Sequence, residues 1–151
     1  MNNSISIYEW MSLTYVSSME ACGIDLSHID KSWKLPMEKD FVLKWAHSTK
    51  PRIFCNDGFS FSAQGGYTAY SSPRVPSEIY DSMEIGFPSE EEPLLENYDG
   101  QVAGYVDVNT IQEIINKHGG IDIRKSFENC NLKKVQIFLR DKKLVRILNE
   151  K

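Results

Sequence analysis

RIFCNDGFSFSAQGGYTAYSSPR, residues 52–74, is the stretch on which the fold turns. Arg52 to Cys55 is short and β-prone. Asn56-Asp57-Gly58 reads as a turn, because Asn and Asp tolerate positive φ and Gly reaches it without steric cost. From Phe59 the sequence alternates: Phe59, Phe61 and Ala63 project to one side, Ser60, Ser62 and Gln64 to the other. Two such runs about a glycine turn predict a hairpin with one apolar and one polar face. Gly65-Gly66 ends it, and a loop rich in Tyr and Ser continues to Pro73-Arg74.

Downstream, Met83, Ile85 and Phe87 alternate with Ser82, Glu84 and Gly86, which predicts a third strand within residues 80–87, closed by Pro88. Ser89 is placed to cap a short helix over residues 90–97, whose first-turn acids would face the positive end of its dipole; Pro93 would delay its start. Asp99-Gly100 is a turn and Val102 to Val106 is β-prone. Asp107 or Asn109 then caps a helix with Ile111, Ile114 and Ile115 on one face, Lys117 and His118 in its last turn, and Gly119-Gly120 as its stop.

Upstream, residues 4–22 predict a helix opened by a Ser6/Glu9 capping box and ended before Gly23. Its apolar stripe is Ile7, Trp10, Met11, Thr14 and Ser18, broadened by Leu13 and Val16. Residues 24–36 read as a connector, and residues 37–47 as a strand or a short helix, ended at Lys50-Pro51. In residues 132–148 the apolar positions scatter round a helix axis. Val135, Ile137 and Leu139, then Val145 and Ile147, alternate instead about Asp141-Lys142-Lys143, which favours a second hairpin. The expected architecture is a single α+β domain over residues 1–151: a helical N-terminal part (1–50), a core (51–120) and a basic C-terminal extension (121–151). Its sheet is small and mostly antiparallel, with two or three helices packed on one face.

At 151 residues, 41% of them hydrophobic and 25% charged, the chain can bury one core and is not compositionally disordered. No apolar run approaches the roughly 20 residues that cross a bilayer. The N-terminus lacks a basic region followed by an apolar one. Cys22, Cys55 and Cys130 are odd in number and widely spaced, which suggests neither a disulfide framework nor a zinc site. The expected location is therefore cytoplasmic. Charge is uneven. Residues 77–100 carry eight acidic and no basic side chains, whereas residues 121–151 carry nine basic and four acidic ones. Two solvated faces of opposite sign account for this most simply, with a partner surface as the sharper reading.

Strong catalytic signatures are absent: there is no CxxC, HExxH, phosphate-binding loop, GxGxxG or GxSxG. His47-Ser48-Thr49 matches one half of the paired HxT/S pattern of two-histidine phosphoesterases, without a second half. Cys55 with His47 would make a thiol–imidazole pair, but a free cysteine more often packs. His118 reads as a helix-end residue rather than a base. Glu90, Glu91 and Glu92 read as a solvated face, since consecutive carboxylates on a helix diverge. No catalytic residue, metal or cofactor is expected. The candidate binding residues are Asp57, Ser60, Ser62, Gln64, Tyr67, Tyr70 and Arg74, because Tyr and Arg dominate interface hot spots and sheet-borne loops often carry function. Against this stands an ordinary solvated strand face beside a structural loop.

Taken together, NDGFSFSAQ (56–64), SPR (72–74), EIGFPS (84–89), EPLL (92–95), GYV (104–106) and KHGG (117–120) resemble a group of small uncharacterised accessory proteins encoded by bacteriophages. The resemblance spans roughly residues 53–120, and no catalytic residue comes with it. It implies a non-enzymatic protein that binds and inhibits a bacterial host or defence protein inside the host cytoplasm. The alternative is a small-ligand or nucleotide-sequestering protein using the hairpin and loop of residues 60–74. Nucleic acid is disfavoured by the net charge of −4 and by a basic stretch, residues 132–148, whose one aromatic is Phe138.

Overall fold

The computed structural model describes residues 5–15, 50–66, 68–75 and 77–128. The expectations for residues 16–49 and for the C-terminal hairpin at 132–148 lie outside these. Four strands, β1 (Ile53–Phe54), β2 (Ser60–Gln64), β3 (Ser82–Gly86) and β4 (Val102–Asp107), form one antiparallel sheet in the order β1-β2-β3-β4. Three helices, α1 (Ile7–Leu13), α2 (Val108–Lys117) and α3 (Ile123–Ser126), complete an α+β arrangement. Among the described residues no helix is long and apolar enough to cross a membrane.

The hairpin forms as its alternation requires. Ile53 opposes Phe61 and Phe54 opposes Ser60. The turn closes through the Cys55 N–H to the Phe59 carbonyl at 2.8 Å and the Gly58 N–H to the Cys55 carbonyl at 3.0 Å. Gly58 sits at φ +97°, in open space, so the conformation rather than crowding demands glycine there. The Asp57 carboxylate accepts from the Phe59 N–H at 2.9 Å and stiffens the turn.

Phe59, Phe61 and Ala63 are buried with Met83, Ile85 and Ala103 from the neighbouring strands, Ile111, Ile114 and Ile115 from α2, and Trp10 and Met11 from α1. Each large aliphatic or aromatic side chain so buried contributes about 1.5–3 kcal/mol. The Trp10 ring lies 5.1 Å from that of Phe127, linking α1 to the segment after α3. On β1's outer side, Asp122 N–H donates to the Phe54 carbonyl and Phe54 N–H to Ser126 Oγ. That edge is therefore covered by the chain leaving α2.

Two of the three helix-start expectations hold, and that at Ser89 does not. Ser6 and Glu9 form the reciprocal capping box of α1, and Asp107 caps α2 by accepting from Asn109 N–H. Three expectations change. First, α1 spans Ile7–Leu13 with Thr14 as its C-cap, inside the helix expected over residues 4–22, whose part from residue 16 on lies outside the described residues. The Thr14 hydroxyl bonds back to the Trp10 carbonyl, and Lys50 Nζ reaches the freed Thr14 carbonyl at 3.1 Å.

Second, residues 90–97 are turns, not a helix. Pro93 disfavours helical backbone at Glu92, and the Glu92 carboxylate instead turns back to accept from the Leu94 N–H at 2.9 Å. Glu92 consequently leaves the solvated acidic face to which its sequence neighbours assign it.

Third, Phe87 leaves the strand alternation, at φ +50° and 67% exposed. The Arg52 guanidinium bonds its carbonyl, and Ser89 N–H bonds the Ser60 carbonyl, turning the chain away from the sheet.

Candidate partner-binding face

Two side-chain assemblies flank the sheet. One fastens the hairpin turn to the end of α2. His118, the C-cap of α2, stacks on Phe59 with ring centroids 4.0 Å apart. Its Nδ1 lies 2.6 Å from Asp57 Oδ2 and its Nε2 lies 2.8 Å from Glu92 Oε1. The Glu92 side chain is fully buried, and its other oxygen bonds Lys117 Nζ at 3.0 Å. Backbone bonds run alongside, from Asp57 N–H to the His118 carbonyl and from Asn56 N–H to the Gly120 carbonyl.

Burial alone would pull the imidazole pKa down. The hydrogen bonds to Glu92 and then Asp57 outweigh it and raise it above the ordinary histidine value. Burial pushes the Glu92 carboxyl up, but the bonds from Leu94 N–H, His118 and Lys117 hold it below the usual carboxylate range. Asp57 is lowered by the Phe59 N–H and then by His118. When protonated, the imidazole donates through both nitrogens and has no lone pair for base work, and in that state the arrangement is a charged clasp. Nearby Cys55 is buried, and burial followed by the Asp57 charge pushes its thiol up to about 12, away from the nucleophilic thiolate.

The second assembly lies on the sheet face carrying Ser62 and Gln64. Gln64 pairs with Glu84 across β2 and β3, so their side chains share this face. The loop of residues 68–75 lies over it. Tyr70 N–H donates to Glu84 Oε2 at 2.9 Å, and the Tyr70 carbonyl accepts from the Tyr105 N–H at 2.9 Å. A Cβ on Gly104 would come within 3.0 Å of Tyr70 Cβ, so glycine is what lets the loop sit this close. Between Met83 and Ile85 the β3–β4 register slips, placing Gly104 and Tyr105 opposite Glu84 as a bulge. Tyr105 is held there at φ +52°. The Tyr70 and Tyr105 rings meet at 6.0 Å, and the Arg74 guanidinium lies 5.1 Å from the Tyr70 ring. Both tyrosines stay open to solvent, at 47% and 56% exposure.

The residues singled out from sequence separate into distinct places. Asp57 belongs to the clasp. Ser60 is buried; its hydroxyl accepts from Arg52 Nε at 2.9 Å and its N–H donates to Ser89 Oγ at 2.9 Å. Gln64 binds the backbone of Lys50 through both ends of its amide and donates to Ser62 Oγ. Tyr70 and Arg74 come together, and Tyr67 lies outside the described residues. The expected polar face is therefore largely engaged in holding the 50–52 segment and the loop. Sequence reasoning missed Tyr105, Glu84, Glu92 and His118 as members of these assemblies. A Gly-Tyr pair inside a short strand was the available sign of a bulge.

Among the described residues no group of His, Cys, Asp or Glu is arranged to hold a metal ion. No protein family, curated protein or solved structure matches the chain.

Proposed function

We propose that this chain is a binding protein whose partner contacts the surface made by Tyr70, Arg74 and Tyr105. The observation that carries the reading is Tyr105. A tyrosine in left-handed backbone costs on the order of 1–2 kcal/mol relative to ordinary conformations. Here that conformation presents a half-exposed ring against a second exposed tyrosine with an arginine stacked on it. A solvated structural strand has no use for that combination, whereas interfaces draw their affinity from clustered Tyr and Arg anchors. The narrower reading, an accessory protein that inhibits a bacterial host or defence protein, rests on the resemblance of residues 53–120 to the bacteriophage group.

The test is site-specific photo-crosslinking in bacterial lysate, with a photoreactive phenylalanine analogue at position 105 or, as control, at exposed position 109. A discrete adduct from 105 alone, lost when Tyr70 and Arg74 are both changed to Ala, supports the surface. Equal adducts from both positions, or none from 105, contradict it.

A further inference from the structure

We infer that the groove beside Tyr105 receives an arginine side chain of the partner, an inference that rests on the binding reading and names the partner's chemistry. The groove, of about 270 Å³, is lined by residues 94–97, by residues 103–107 of β4, and by Thr110 and Glu113 of α2. Its volume falls below the roughly 300–1,000 Å³ of small-molecule pockets, so a single long side chain fits it better than a cofactor-sized ligand. Its three charged side chains, Glu96, Asp107 and Glu113, are all acidic, and among the described residues no Lys, Arg or His lines it. Asp107 is engaged as the N-cap of α2. Glu96 and Glu113 are exposed and have no ion-pair or hydrogen-bond partner among the described residues. The contrast is Glu92, whose buried carboxylate is paired with Lys117 and His118.

A guanidinium suits this lining on three counts. Its planar fork pairs with carboxylates, it stacks on aromatic rings, and its aliphatic stem packs on apolar side chains. Glu96 and Glu113 supply the carboxylates, Tyr105 the ring, and Leu94 and Val106 the apolar contact. Arg74 already lies over the Tyr70 ring, whereas among the described residues no cation lies over Tyr105. Tyr105 belongs both to the tyrosine pair and to the groove, so a partner that covers the pair reaches the groove directly. The surroundings reinforce the attraction, because residues 77–100 carry eight acidic and no basic side chains.

The test follows backbone amide NMR shifts of the isotope-labelled full chain during titration with acetyl-arginine amide, and with its neutral isostere acetyl-citrulline amide. The expected result is saturable shifts at Glu96, Tyr105 and Glu113, with the citrulline probe binding about fivefold or more weakly. Glu96→Gln/Glu113→Gln should weaken arginine binding by a similar factor at unchanged Tm. Glu90→Gln/Glu91→Gln removes equal charge outside the groove and should leave arginine binding within about twofold. No saturable shift, equal binding of the two probes, or equal loss in the two double variants would overturn the inference. The groove and the tyrosine surface fail separately. An adduct from position 105 without arginine binding sinks the groove alone, and arginine binding without an adduct sinks the tyrosine surface alone.

Discussion

Replacing His118 with Gln tests the clasp between the hairpin and α2. Glutamine keeps one donor and a similar length but cannot carry charge or stack as the imidazole does on Phe59. The bond from Nε2 to the fully buried Glu92 carboxylate is charge-assisted, a class that contributes about 1.5–3 kcal/mol. The stacked ring adds about 0.5–1.5 kcal/mol. The bond to half-exposed Asp57 is solvent-screened and adds less. Glu92 retains Lys117 and the Leu94 N–H, so it is not left bare. The net expectation is a loss of about 2–3 kcal/mol, which lowers Tm by about 2–4 °C per kcal/mol for a chain of this size.

The pH dependence is the sharper reading. The folded-state imidazole pKa is raised above the roughly 6.5 of an unfolded chain, so its contribution is complete below that value. It disappears as pH climbs through the folded-state value. The Asp57 and Glu92 carboxyls are lowered, so their contribution is present above about pH 4 and disappears in acid. Urea denaturation of wild type and variant from pH 4.5 to 9 should show the widest gap near pH 5–6.5 and a narrowing gap above it. A gap that is constant to pH 9, or that widens there, would refute the charged clasp.

Two further outcomes follow from single positions. Gly58→Val should cost about 1–3 kcal/mol by thermal melting, because φ +97° strains any β-branched residue although nothing crowds the site; an unchanged Tm would remove the turn's role. Lys50 is buried, and burial lowers its pKa to about 7. Between about pH 7 and 10 the unfolded chain then holds one more proton than the folded one, so this group makes stability rise with pH by up to about 1.4 kcal/mol per unit. Lys50→Met should flatten that rise in denaturation curves, and an unaltered slope would place the lysine charged in the fold. The trend opposes that of His118, so each is read from its own variant against wild type.

The hairpin, β3, β4 and α2 were legible because each carries its own local pattern: alternation in Phe59–Ala63, isoleucine spacing in α2, and caps at Ser6 and Asp107. What escaped depends on contacts between residues far apart in sequence. Glu92 resembles its acidic neighbours until Pro93 breaks the helix and His118 arrives from 26 positions away. His118 looked like a dipole-compensating helix end, and it is that, but the hairpin turn brings Asp57 and Phe59 to it. Ser60 and Gln64 alternate as an exposed face would, yet Arg52, Ser89 and Lys50 engage them. Tyr70 and Arg74 were picked out by residue type, while their partner Tyr105 needed a bulge that alternation does not announce.

The most direct measurement on the central claim is the affinity of Tyr105→Gly for the protein crosslinked from position 105. Glycine adopts φ +52° without strain, so the variant loses the ring while gaining backbone ease, and its Tm should equal or slightly exceed that of wild type. The account predicts at least a tenfold rise in Kd. An unchanged Kd, or a Tm loss equivalent to more than about 2 kcal/mol, would show that Tyr105 serves the fold rather than the partner.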